Sequence, residues 1–183
     1  LGARVVTLSY SSTVLATLHQ AARKVERLIV GESRPANEGR RTAELAASFG
    51  MPTTLATDAG AASLVREADL VLLGADAVAA DGSVINKTGS TALAAMATFF
   101  DCPRLVVATE SKVLAVRHEP GFEEKSPDEL GNPIEGVEVS NVYFERIPQG
   151  LTGHITAECG TLTAERIGQV ARRREKLCCS VRG

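Results

Sequence analysis

The chain has 183 residues, of which 44% are apolar, 23% charged and 4% aromatic, and a formal net charge of -2. That length suits one domain with its own core, the low charge supplies no field for nucleic acid or an acidic membrane surface, and no run of about 18 apolar residues is present to cross a bilayer. Cys102, Cys159, Cys178 and Cys179 have neither zinc-site spacing nor disulfide-scaffold density, and no signal peptide is visible, so the expectation is a cytoplasmic protein with no metal and no cofactor.

Residues 4–8 form a β-branched run and read as a strand; the chain starts without Met and enters structure at once, as the C-terminal piece of a longer protein would. Val14, Leu18, Ala21, Ala22 and Val25 then share one face of a helix predicted over 13–25. A strand over 27–30, a helix over 37–49 stopped by Gly50, a strand over 52–57 and a short helix over 61–68 follow. Residues 69–76 are the most apolar strand and are expected at the sheet centre. Asp81-Gly82 is a tight-turn pair and predicts a small hairpin leading into Asn86-Lys87. An Ala-rich helix over 91–100 and a strand over 104–108 complete the alternation. Continuous apolar strands separated by amphipathic helices predict a Rossmann-like α/β fold, an open, mostly parallel sheet with helices on both faces.

Residues 117–141, with Pro120, Pro127 and Pro133, lose all periodicity and predict a polar loop excursion. Short late strands are expected over 142–147 and 154–158, and a final helix over 161–176 with its first turn at 163–166. No internal repeat is visible, and the expectation is one domain over residues 1–183.

Ligands of an open parallel sheet sit at the carboxyl ends of its strands. Those ends carry Ser9 to Ser12, Glu32-Ser33-Arg34, Thr57-Asp58, Gly74-Ala75-Asp76 and Thr109-Glu110-Ser111, a polar rim above an apolar sheet. Asn86-Lys87-Thr88-Gly89-Ser90-Thr91 places a lysine and a glycine at a helix start, where free N–H groups and the helix dipole favour a phosphate. The alternative is an ordinary helix capped by Ser90 or Thr91 with a solvated lysine. Lys87 precedes Gly89, so this is not a Walker loop. Asp76 can hold a sugar hydroxyl, act as a general acid–base group, or simply bond to the hairpin backbone. Arg34 precedes Pro35, which favours an extended residue 34; its guanidinium can face a phosphate or pair with Glu38. Ser9, Ser11 and Ser12 form the first strand-to-helix turn and can cradle an anion, without the glycine fingerprint of a dinucleotide site. His19, His118 and His154 are scattered, with His19 read as a surface or boundary residue; Cys102 reads as a small core residue, and Arg166, Arg172, Arg173, Arg174 and Lys176 as the solvated face of a basic helix, with a partner contact as the alternative.

Gly74-Ala75-Asp76 followed by Asn86-Lys87 and Gly89 resembles the signature of the translation initiation factor 2B alpha/beta/delta family, which also contains methylthioribose-phosphate and ribose-bisphosphate isomerases. The run from Thr7 to Leu15, Glu32-Ser-Arg-Pro35 with Glu38-Gly39-Arg40, and the run from Thr156 to Thr163 agree with it, so the resemblance covers nearly the whole chain. It implies a sugar-phosphate or nucleotide pocket in which Asp76 is the isomerases' acid–base carboxylate and Asn86 and Lys87 bind substrate, with Gly89 beside them.

Two departures matter. The isomerases carry a catalytic cysteine at the position of Ser9, and a serine hydroxyl is a poor acid or base unless activated. The family's helical N-terminal domain is also absent from this sequence. The resemblance therefore implies a regulatory, initiation-factor-like domain that binds a phosphorylated small molecule and assembles with itself as a dimer or with sister subunits. The alternatives are an aldose–ketose isomerase of a ribose phosphate, with Asp76 catalytic, and a purely structural assembly module. Neither a membrane nor direct nucleic-acid binding is expected.

Overall fold

The computed structural model describes residues 2–118, 121, 122 and 124–181; Pro120 and the side chain of Cys179 lie outside what it describes. Strands β1 (Ala3–Leu8), β2 (Val25–Gly31), β3 (Thr53–Ala56) and β4 (Leu70–Leu73) alternate with helices α1 (Ser12–Gln20), α2 (Glu38–Ser48) and α3 (Asp58–Leu64). The hairpin β5 (Ala77–Val78) and β6 (Val84–Lys87) leads into α4 (Ser90–Phe99), followed by β7 (Arg104–Val107), β8 (Phe144–Ile147), α5 (Gln149–Thr152), β9 (His154–Ala157), β10 (Gly160–Thr161) and α6 (Ala164–Val181).

The main sheet has seven strands in the order β10-β9-β7-β4-β1-β2-β3, so the strand after Asp69 is central, as expected. Its pairings are parallel except β10 against β9. Period-two alternation splits the core into two layers. Val6, Leu8, Ile29, Val71, Leu73 and Val106 face α3 with the 3-10 turn after it, α4 and α6 through Ala61, Val65, Leu93, Ala94, Ala97, Ile167 and Val170. Val5, Leu28, Val30, Leu72 and Val107 face α1 and α2 through Val14, Leu18 and Ala46. Burial of each such Val, Leu or Ile contributes about 1.5–3 kcal/mol.

Several boundaries differ from expectation. The first helix stops at Gln20, and after a short 3-10 turn (Ala22–Lys24) Val25 already pairs with Ala3 as the start of β2. The apolar run that continued the helical face is thus claimed by the sheet. α3 starts at Asp58 because Thr57 caps the Gly60 N–H at 3.2 Å, a signal that carries no apolar periodicity. α6 starts with Thr163 accepting the Arg166 N–H, and it runs to Val181 rather than ending at Lys176. The last strands also divide: β9 joins the main sheet beside β7, whereas β8 pairs with β6 in a separate antiparallel sheet ordered β5-β6-β8.

The polar excursion is irregular among its described residues apart from a 3-10 turn at Pro127–Leu130. It is tied back by Asn141, whose Nδ2 donates to Ser126 O and Glu129 Oε2, and by the Tyr143 hydroxyl, which donates to Glu129 at 2.5 Å. No helix among the described residues is long and apolar enough to cross a membrane. Cys102 is buried and His19 is exposed against the Phe49 ring, as expected of both.

Candidate functional site

The parallel register brings the ends of β1, β2, β4 and β7 to one edge of the sheet. At the end of β1 the chain turns through Ser9, a non-glycine residue at φ 60. Two contacts to α2 hold that conformation: the Ser9 hydroxyl donates to Glu38 Oε2 at 3.1 Å, and the Ser9 carbonyl accepts from the Thr42 hydroxyl at 2.7 Å. Ser11 caps α1 by accepting the Val14 N–H, and its side chain lies where a Cβ on Gly74 would come within 2.8 Å of Oγ. The absence of a side chain at 74 therefore lets the start of α1 close onto the end of β4. Ser12 is exposed at the first position of α1.

Lys87 is the last residue of β6 and is 3% exposed. Its Nζ lies 2.7 Å from Glu38 Oε2 and 3.8 Å from the centroid of the Tyr143 ring. The ion pair and the aromatic face together offset the desolvation of the ammonium. No hydrogen bond is aligned along the contact. Glu38 is therefore a site residue, bridging Ser9 and Lys87. It does not pair with Arg34, the alternative that the sequence left open.

Asn86 points its amide at its own chain: Nδ2 donates to Ser90 Oγ at 2.9 Å, and Ser90 in turn donates to the Lys87 carbonyl at 2.6 Å. The helix start that follows differs from expectation. Gly89, at φ 103, is the cap residue of α4, and the N–H groups of Gly89 and Thr91 both donate to Glu145 Oε1, at 2.8 and 2.9 Å. The amides expected to receive a phosphate are occupied by the protein's own carboxylate. Glu145 lies on β8, far away in sequence, and no local motif announces it.

Asp76 follows β4, and its N–H donates to the Ile85 carbonyl at 2.8 Å. Asp76 is exposed to solvent. Partial desolvation by the surrounding protein pushes the carboxyl above the ordinary aspartate range; the charge of Lys112 draws it back, Glu38 adds to the rise and Lys87 opposes it. Lys112, in the turn after β7, thus acts on this site although no motif had marked it.

Arg34 is exposed, and the bond to Pro35 is cis. The turn that carries it is held by Asp58, whose carboxylate accepts the Ser33 N–H at 2.7 Å and the Arg34 N–H at 2.9 Å. No hydrogen bond or ion pair joins Arg34 to Asp76, Asn86 or Lys87 among the described residues. The structure thus brings together Ser9, Glu38 and Lys87 by contact, and the charges of Glu38 and Lys87 act on Asp76. No group of three or more His, Cys, Asp or Glu side chains among the described residues is placed to hold a metal.

The sequence profile described as the Initiation factor 2 subunit family matches residues 1–164. Over 180 residues the chain is 34% identical to a ribose 1,5-bisphosphate isomerase of Haloferax volcanii, covering 91% of this chain and 54% of that one. Over 154 residues it is 38% identical to a methylthioribose-1-phosphate isomerase of Pelotomaculum thermopropionicum, covering 78% and 42%. The chain spans about half the length of the curated relatives it matches. Among solved structures it is similar to the translation initiation factor eIF-2B of Pyrococcus horikoshii OT3, with a TM-score of 0.77, 31% identity, and coverage of 87% of this chain and 58% of that one.

Proposed function

The chain belongs to the initiation factor 2 subunit family, and on that premise we propose that it forms the sugar-binding part of an aldose–ketose isomerase acting on a ribose phosphate. The observation that carries this reading is the contact of Ser9 and Lys87 with Glu38 at the strand ends, with Asp76, at the end of β4, close enough to feel the charges of Glu38 and Lys87. Isomerising a ribose 1-phosphate to the ribulose form moves a hydrogen from C2 to C1. The C2 hydroxyl loses its proton as a carbonyl forms, and the ring oxygen gains one as its bond to C1 breaks. The site must therefore give one proton and take one. Asp76 holds a proton to higher pH than a free aspartate and is suited to give it. Ser9 is a weak group alone, but its hydroxyl already donates to the Glu38 carboxylate, the kind of partner that activates a nucleophile or relay. In this reading Ser11, Ser12, Asn86, Lys87 and Gly89 line the ligand site, and Arg34 reaches the phosphate from its edge.

The test is turnover of ribose 1,5-bisphosphate and methylthioribose 1-phosphate by the protein. Product formation abolished by Asp76→Asn supports the reading; binding of a sugar phosphate without turnover overturns it. That second outcome corresponds to a regulatory ligand-binding subunit, a reading favoured by the serine at position 9 where the isomerases are expected to carry a thiol. Either role is compatible with association of this chain with a second copy or a sister subunit. The exposed apolar side chains Phe122, Ile134 and Val137 on the polar excursion supply a contact surface for it.

A further inference from the structure

The two features of the Asn86–Lys87 corner that attract anions are both already engaged by carboxylates of the chain. Glu145 holds the Gly89 and Thr91 amides. Glu38 sits 2.7 Å from Lys87 Nζ, which has no contact with solvent and lies against the Tyr143 ring. Glu38 itself has a side chain 41% exposed. What a ligand meets at this corner is therefore an oxygen of Glu38, not the ammonium of Lys87. A carboxylate accepts hydrogen bonds and donates none, so it fits a hydroxyl and opposes a phosphate. Asp76 is near enough for its charge and that of Glu38 to interact, and this adds a second source of repulsion for a dianion.

We propose that Glu38 is the specificity-determining residue of this site: it neutralises Lys87, so the corner receives the hydroxyl groups of a sugar and rejects its phosphate. The proposal deepens the phosphosugar reading above and rests on it for the identity of the ligand. The phosphate then lies away from the corner.

The experiment is calorimetry with inorganic phosphate on the wild type, Glu38→Gln and the charge-neutral double variant Glu38→Gln/Lys87→Met. Removing the carboxylate should raise phosphate affinity roughly tenfold or more, the size of one screened unit charge at close range. The double variant should return to the wild-type value. An unchanged affinity in Glu38→Gln, or a gain that persists in full in the double variant, overturns the proposal. A measurement on the wild type alone guards against misfolding of the variants. D-ribose 5-phosphate should shift the Glu38 carboxyl resonance in carbon NMR, and inorganic phosphate alone should leave it and the Tyr143 ring signals in place; a shift with inorganic phosphate alone puts the anion on Lys87. The phosphate gain is read without any sugar, so it stands or falls separately from the isomerase reading.

Discussion

Glu145 closes the N-terminus of α4 from another sheet: its Oε1 accepts the N–H groups of Gly89 and Thr91 at 2.8 and 2.9 Å, across 56 and 54 residues of sequence. The contact links the hairpin sheet to the helix that follows the Asn86–Lys87 strand, and it supplies the negative charge that a helix start favours. Glu145→Ala should therefore lower stability by about 1–2 kcal/mol, the usual cost of losing a helix cap. Urea unfolding followed by circular dichroism measures it, and a variant within error of wild type would remove Glu145 from this role.

Asp76 yields a prediction with a definite sign in pH. Its carboxyl binds its proton more tightly in the folded protein than in the unfolded chain, because partial desolvation opposes ionisation. Between the ordinary value of 3.8 and the raised one, the folded state holds more protons, so stability falls as pH rises through that window and stays lower above it. The exposure of Asp76 to solvent keeps the effect small. Asp76→Asn should accordingly melt higher than wild type at neutral pH, with the difference vanishing below 3.8. If the protein is an isomerase, the same substitution should cost about 10²–10⁴-fold in turnover. A higher melting temperature combined with lost turnover is the outcome that a merely structural aspartate does not produce.

Asp58 holds the turn that carries Arg34. Its two oxygens each take one amide of the turn carrying Arg34, and the side chain of Ser33 in that turn is fully buried. Asp58→Ala leaves both N–H groups without their acceptor, at a cost of about 1–3 kcal/mol for each one left dry. Thermal unfolding should show the loss. D-ribose 5-phosphate affinity, measured by calorimetry, should fall with it if Arg34 faces the ligand and hold if it does not.

Ser9 decides how far the site can act chemically. Ser9→Cys is nearly isosteric and installs the thiol expected of the isomerases. Turnover of ribose 1,5-bisphosphate should rise toward the ~10²–10⁴-fold contribution of a general acid–base group. A rate unchanged by the thiol would argue that the carboxylates alone set the chemistry.

Association is checked at the polar excursion. Ile134 is 64% and Val137 54% exposed. Light scattering of the wild type should give a mass above that of one chain, and Ile134→Asp with Val137→Asp should shift it toward the monomer.

Much of this molecule was legible in local pattern. The order of strands and helices, the central place of the strand before Asp76 and the hairpin at Asp81-Gly82 follow from hydrophobic period and turn chemistry, which act over a few residues. The polar rim at the strand ends follows from the parallel topology that those periods imply. Tertiary structure decided what each rim residue does. Lys87 looked like a free cation and is neutralised by Glu38; the α4 amides looked open and are filled by Glu145; Arg34 had two candidate roles, and Glu38, the partner in one of them, pairs with Lys87 instead. Burying or capping a charge requires an opposite group within a few ångströms, and here those groups come from α2 and β8. The pairings are energetically strong and remote in sequence, so the chain's pattern could nominate the site but only its folding could assign the charges within it.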